Sequence, residues 1–126
     1  MSARILVVED NPTNLDLITY LLRALGYDIS CEADGQAGLA SALGGGFDLV
    51  LTDILMPNMD GLEFARRFKA DARTAGTPLV AVTALAMAGD RERILSAGFD
   101  GYIAKPIDPK KFAAQLAAFL NAEPRG

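Results

Sequence analysis

The 126-residue sequence contains no histidine, no tryptophan and a single cysteine, Cys31. Without an imidazole there is nothing to activate a serine or cysteine in the usual triads, and no histidine-ligated metal site can form. One cysteine excludes an intrachain disulfide framework and fits a reducing compartment; Cys31 reads as a small filler in or near the core. No apolar run approaches the roughly 20 residues that a membrane-spanning helix needs, so no membrane insertion is expected. Met1-Ser2-Ala3-Arg4 leads directly into a strand without the apolar region of a signal peptide, which predicts a cytoplasmic location. Positive charge is also scarce, with 12 Lys and Arg against 16 Asp and Glu and a net charge of -4. Direct DNA binding, which relies on a basic footprint, is therefore not expected. Divalent cations and protein partners remain.

What is present is a repeated alternation of apolar runs and amphipathic stretches, over a length that suits one domain. Ile5 to Val8, Phe47 to Thr52, Leu79 to Val82 and Gly101 to Ala104 read as buried strands, and Asp28 to Ala33 as a weaker one near a sheet edge. Between them lie helices opened by Asn11-Pro12, Asp34, Asp60-Gly61-Leu62-Glu63 (a capping box) and Asp108-Pro109, with Gly26 and Gly98 as stops. In the first helix Leu15, Leu17, Ile18, Leu21, Leu22 and Leu25 cover an arc wider than a core-facing stripe; deep burial is the expectation, with docking of a partner helix as the alternative. The helix from about Gly89 to Ala97 has only Ile94 and Leu95 as large apolar residues and is expected to be weakly held. Gly44-Gly45-Gly46 precedes a strand and lacks the Lys and Ser/Thr of a P-loop, so it reads as a connecting loop. The domain is expected over 1–121, with 122–126 as a frayed tail. Five βα repeats imply a parallel sheet covered on both faces.

The strand ends carry the chemistry. Glu9-Asp10 follow the first strand, Asp53 ends the third, Thr83 the fourth, and Lys105-Pro106 follow the fifth. In an open parallel sheet these ends share one crevice. Three carboxylates brought together stay ionised only if a cation compensates them, and a hard ion such as Mg²⁺ matches oxygen ligands. Asp53 can then act as a nucleophile toward a phosphoryl group, with the metal, Lys105 and the Thr83 hydroxyl meeting the charge on the phosphoryl oxygens.

Glu9-Asp10, Asp53 with Met56-Pro57 and Asp60-Gly61, Thr83-Ala84 and Lys105-Pro106 occur in the order of the response-regulator receiver signature, and the chain resembles that family over nearly its whole length. The resemblance implies a flavodoxin-like (βα)5 three-layer sandwich with strand order 2-1-3-4-5. It implies a phosphoacceptor of a two-component phosphorelay: Asp53 takes its phosphoryl group from a histidine kinase or histidine phosphotransfer protein, and the chain catalyses only its own phosphorylation and dephosphorylation. Asp10, Asp53 and the Leu55 backbone carbonyl would hold Mg²⁺, with Glu9 assisting through water. Lys105 would contact the phosphate across a cis Lys105-Pro106 bond. Thr83 and Tyr102 would form the switch, read by a downstream protein target on the face of the fourth helix, fifth strand and last helix.

Two positions that are often polar in the family, two beyond Asp53 and two beyond Thr83, are Leu55 and Leu85 here. Apolar side chains cannot orient a hydrolytic water, so a comparatively long-lived aspartyl-phosphate is expected. Other readings are weaker. A flavodoxin needs a phosphate loop that the acidic Glu9-Asp10-Asn11-Pro12 cannot supply, and an aspartyl-nucleophile phosphatase typically has a second acid at position 55. Within the family, Val8-Glu9-Asp10-Asn11 with Asn14 also resembles receivers of hybrid histidine kinases, whereas Met1 and the end at Gly126 are expected of a stand-alone regulator.

Overall fold

The computed structural model describes residues 3–56, 59–84 and 88–120. Pro57 of the signature, Leu85 and the expected tail at 122–126 lie outside the described residues. The elements run β1 (Arg4–Val8), α1 (Pro12–Ala24), β2 (Asp28–Glu32), α2 (Gly35–Leu43), β3 (Leu49–Thr52), α3 (Gly61–Ala70), β4 (Leu79–Thr83), α4 (Ala88–Ser96), β5 (Gly101–Ala104) and α5 (Pro109–Leu120). All strand pairs are parallel, in the order β2-β1-β3-β4-β5, which is the flavodoxin-like arrangement with β2 at one edge.

Side chains alternate across a strand, so each strand feeds two cores. Ile5, Val7, Leu49, Leu51, Val80, Val82 and Ile103 pack with Ile18 and Leu22 of α1 and Phe112 and Leu116 of α5. Leu6, Val8, Val50, Leu79 and Ala81 face the other way, onto Ala42 of α2, Phe64, Ala65 and Phe68 of α3, and Ile94 of α4. Helices thus cover both faces in three layers.

The helix starts follow the expected caps. The Asn11 side chain accepts from the Thr13 and Asn14 amides at 3.0 and 3.1 Å, Asp34 from Ala37 at 2.8 Å and Asp108 from Lys110 at 3.0 Å. Gly26 and Gly98 stop their helices with φ of 87° and 116°, values that favour glycine. The capping box is only half made. Asp60 accepts from the Glu63 amide at 2.9 Å, but the Glu63 carboxylate is drawn to Arg67 at 2.9 Å and Arg66 at 3.0 Å, where two ion pairs replace one reciprocal hydrogen bond.

The expected deep burial of the whole apolar arc of α1 is not met. Ile18 and Leu22 are buried and Leu15 and Leu21 pack beside them, but Leu17 and Leu25 are exposed. An outer-layer helix touches the sheet along one stripe, and the arc of α1 is wider than that stripe. Cys31 lies exposed on the edge strand β2. In α4 Ile94 is buried and Leu95 is exposed, so one large side chain anchors that helix among its described residues.

Candidate functional site

Strand register sets the heights of the functional residues. Val8 of β1 pairs with Thr52 of β3, and Thr83 of β4 with Ala104 of β5. Glu9, Asp53 and Lys105 each lie one residue beyond their strand, and backbone bonds hold all three: Glu9 N–H to Glu32 O at 3.0 Å, Asp53 N–H to Val8 O at 3.1 Å, and Lys105 N–H to Thr83 O at 2.9 Å. Residues 52 and 96 positions apart in sequence are thereby fixed at one rim.

The carboxylates of Glu9, Asp10 and Asp53 present oxygens that all lie within 4.8 Å of one another. Glu9 and Asp53 are buried, and Asp10 is exposed. The Lys105 ammonium sits among them, donating to Glu9 Oε1 at 2.8 Å and to Asp53 Oδ2 at 3.0 Å. Burial pushes the Glu9 carboxyl above the usual carboxylate range, with Lys105 pulling against it. For Lys105, burial works against the charged form, but the hydrogen bonds it donates to Glu9 and Asp53, together with the attraction of the two carboxylates, outweigh it and hold the ammonium above its ordinary value. The lysine therefore stays charged, as a site for an incoming anion requires.

Asp53 is oriented by backbone as well. Its Oδ1 accepts from the Ile54 amide at 2.7 Å and the Leu55 amide at 3.3 Å, leaving Oδ2 on the Lys105 side. Reading side-chain types along the sequence missed these two amides, because the turn that aims them has no residue-type signature. It also placed Lys105 only against phosphate, whereas the ammonium is engaged with both acids. Thr83 is fully buried at the end of β4, and Tyr102 is half-buried against the core shared by α2, α3 and α4. Leu55, whose amide donates to Asp53 Oδ1, is 62% exposed. Lys105-Pro106 is cis.

The family model described as the response regulator receiver domain matches residues 5–117. The chain belongs to the response-regulator receiver family. This receiver is 38% identical over 121 residues to the polar-differentiation response regulator DivK of Brucella ovis, covering 96% of this chain and 98% of DivK. It is 34% identical over 122 residues to the DNA-binding dual master transcriptional regulator RpaA of Synechocystis, covering 97% of this chain but 51% of RpaA. Among solved structures it resembles the receiver domain of the sensor histidine kinase PA1611 from Pseudomonas aeruginosa, with a TM-score of 0.90, 36% identity and coverage of 97% of this chain and all of that one. That structure carries a magnesium ion coordinated in its active-site cleft. The receiver's own acidic cluster has the hard oxygen donors that such an ion takes.

Three carboxylates facing one ammonium leave the rim with excess negative charge, a local cost to the fold when no metal is bound. Asp10→Asn is therefore expected to raise Tm without Mg²⁺ by about 3–5 °C, the shift that goes with roughly one kcal/mol in a small domain. Calorimetric scans with and without Mg²⁺ check this; the advantage should vanish or reverse at millimolar metal, which the wild type binds better.

Proposed function

We propose that the receiver takes a phosphoryl group onto Asp53 from the phosphohistidine of a histidine kinase or histidine phosphotransfer protein, in the cytoplasm, and signals by protein contact. The observation that carries this is the convergence of a buried aspartate, two further acids and a charged lysine at one strand rim. An Asp53 carboxylate oxygen attacks phosphorus, the bond to the donor nitrogen breaks, and the imidazole leaves with its electron pair. The amides of Ile54 and Leu55 fix Oδ1, so the carboxylate cannot rotate away from the incoming group. Lys105 is already on the Oδ2 side and meets the phosphoryl oxygens there. Asp10, Asp53 and the Leu55 carbonyl would hold Mg²⁺, with Glu9 assisting through water; the ion supplies charge neutralisation on the phosphoryl oxygens.

Thr83 supplies a hydroxyl at the end of β4 toward the phosphate, and Tyr102 follows it inward; α4, anchored through Ile94, is the segment whose position they bias. The exposed Leu17 and Tyr20 on α1, the helix that starts two residues after Asp10, offer apolar area to a helical phosphodonor. The downstream target reads α4, β5 and α5. No helix among the described residues is long and apolar enough to cross a membrane. We read the chain as having no other substrate of its own and as not contacting DNA directly. DivK and the PA1611 receiver support the same role in a separate regulator and in a kinase. Intact-mass measurement after incubation with acetyl phosphate, with and without Mg²⁺, tests the proposal; no metal-dependent phosphoryl adduct would refute it.

The exposed Leu55 also bears on lifetime, since an apolar side chain beside Asp53 gives a hydrolytic water no hydrogen-bond partner. A Leu55→Asn, Leu85→Glu variant is expected to lose its phosphoryl group about tenfold faster than wild type, less than the roughly hundredfold or more of a full general acid or base because these groups only orient the water. Following decay of the adduct by mass decides it, and equal rates would remove the role assigned to the leucines.

A further inference from the structure

We infer that Gly61, the first residue of α3, is a positioning residue for Asp53, because the space its side chain would occupy is filled by the backbone of the aspartate itself. A Cβ at Gly61 would lie 2.4 Å from the Asp53 carbonyl oxygen, 2.7 Å from Ile54 Cα and 3.1 Å from the Asp53 carbonyl carbon. These are backbone atoms, which cannot turn aside as a flexible side chain does. The glycine is not needed for its conformation: Gly61 is not among the residues with positive φ, and alanine ordinarily suits a helix better there. What the position requires is close approach.

The contact reaches the reacting carboxylate by a short route. The Gly61 amide donates to Ile54 O at 2.8 Å, tying the start of α3 to the turn that follows Asp53. The same turn supplies the Ile54 and Leu55 amides that hold Asp53 Oδ1. Upstream, the Asp53 amide is fixed to Val8 O, so the Asp53-Ile54 peptide is the first piece beyond the strand ladder that can yield. Helix α3 cannot easily retreat instead, since Phe64, Ala65 and Phe68 are fully buried. A second glycine lies close to the same loop. A Cβ at Gly35 of α2 would come 2.6 Å from the carbonyl oxygen of the buried Met59, two residues before Gly61. Two helix starts thus meet this loop without a side chain, Gly61 against Asp53 and Ile54 and Gly35 against Met59.

This rests on the reading of Asp53 as the phosphoacceptor. The test measures Mg²⁺ affinity and the rate of phosphorylation by acetyl phosphate for wild type, Gly61→Ala, Phe68→Leu and Gly89→Ala, at a temperature where each is fully folded. Phe68→Leu damages the same helix away from Asp53, and Gly89→Ala adds a methyl group in open space on α4. Gly61→Ala is expected to weaken Mg²⁺ binding about tenfold or more and to slow phosphorylation at saturating metal by a similar factor, as when a group that orients a metal ligand is disturbed. The two controls are expected to leave both quantities unchanged, although Phe68→Leu lowers Tm. Unchanged affinity and rate in Gly61→Ala overturn the inference, as does an equal loss in Phe68→Leu, which would show a general stability effect. If Gly61→Ala does not fold in plain buffer, the same two quantities are read for all four proteins at reduced temperature in a stabilising osmolyte, and wild-type values for Gly61→Ala there overturn the inference. If wild type binds Mg²⁺ but takes no phosphoryl group, the reading of Asp53 fails and the affinities alone decide the inference; if it binds no Mg²⁺, both fall.

Discussion

Asp53→Asn is expected to take up no phosphoryl group from acetyl phosphate or from a phosphorylated histidine donor, under conditions in which wild type gains one in the presence of Mg²⁺. The carboxamide retains the size of the side chain and an oxygen that can accept from the Ile54 and Leu55 amides, so the turn should keep its shape. What it loses is the anionic oxygen facing Lys105, which is the proposed nucleophile. Chemistry fails while the fold persists, and circular dichroism on the same sample separates the two. An equal adduct on the variant would place the acceptor elsewhere and sink the assignment.

Lys105→Met is expected to slow phosphorylation at saturating Mg²⁺ by about a hundredfold, the typical loss when one preorganised donor to a developing anion is removed. The ammonium donates to Glu9 and Asp53 at 2.8 and 3.0 Å, so its removal leaves these two acids without their fixed counter-charge, with Asp10 close by. Mg²⁺ should consequently bind more tightly to the variant, because no internal cation competes for the same oxygens. Opposite movement of affinity and rate distinguishes loss of a phosphate-facing charge from damage to the metal site, which would weaken both. Isothermal titration and initial-rate measurements read the two quantities.

Both outcomes depend on residues that the sequence displays openly. Buried parallel strands read as unbroken apolar runs, so Ile5–Val8 and Leu79–Val82 announce themselves, and charge at a strand end is conspicuous after such a run. Caps are equally local: Asn11, Asp34 and Asp108 act within three residues of themselves. Less legible were features set by competition or by distance. Nothing local to Glu63 tells whether its carboxylate turns back to cap the helix or forward to two arginines. Leu17 and Ile18 are adjacent and both apolar, yet only the layer packed beneath α1 decides that one is exposed and the other buried. The close approach of Gly61 to Asp53 is harder still to read, since a glycine after a capping aspartate already has an ordinary local explanation.

The alternation of β5 between the two cores has a consequence for how the receiver changes over generations. Tyr102 leans on the layer that contains Ile94 of α4, while Ile103, the next residue, belongs with Phe112 and Leu116 of α5. Neighbours along the chain are thus strangers in the interior, with the sheet standing between their contacts. Substitutions at Ile94 and at Phe112, which pack in different cores with the sheet between them, should combine almost additively in stability, as do those at separated sites without shared partners. Drift inside one core then need not be answered inside the other.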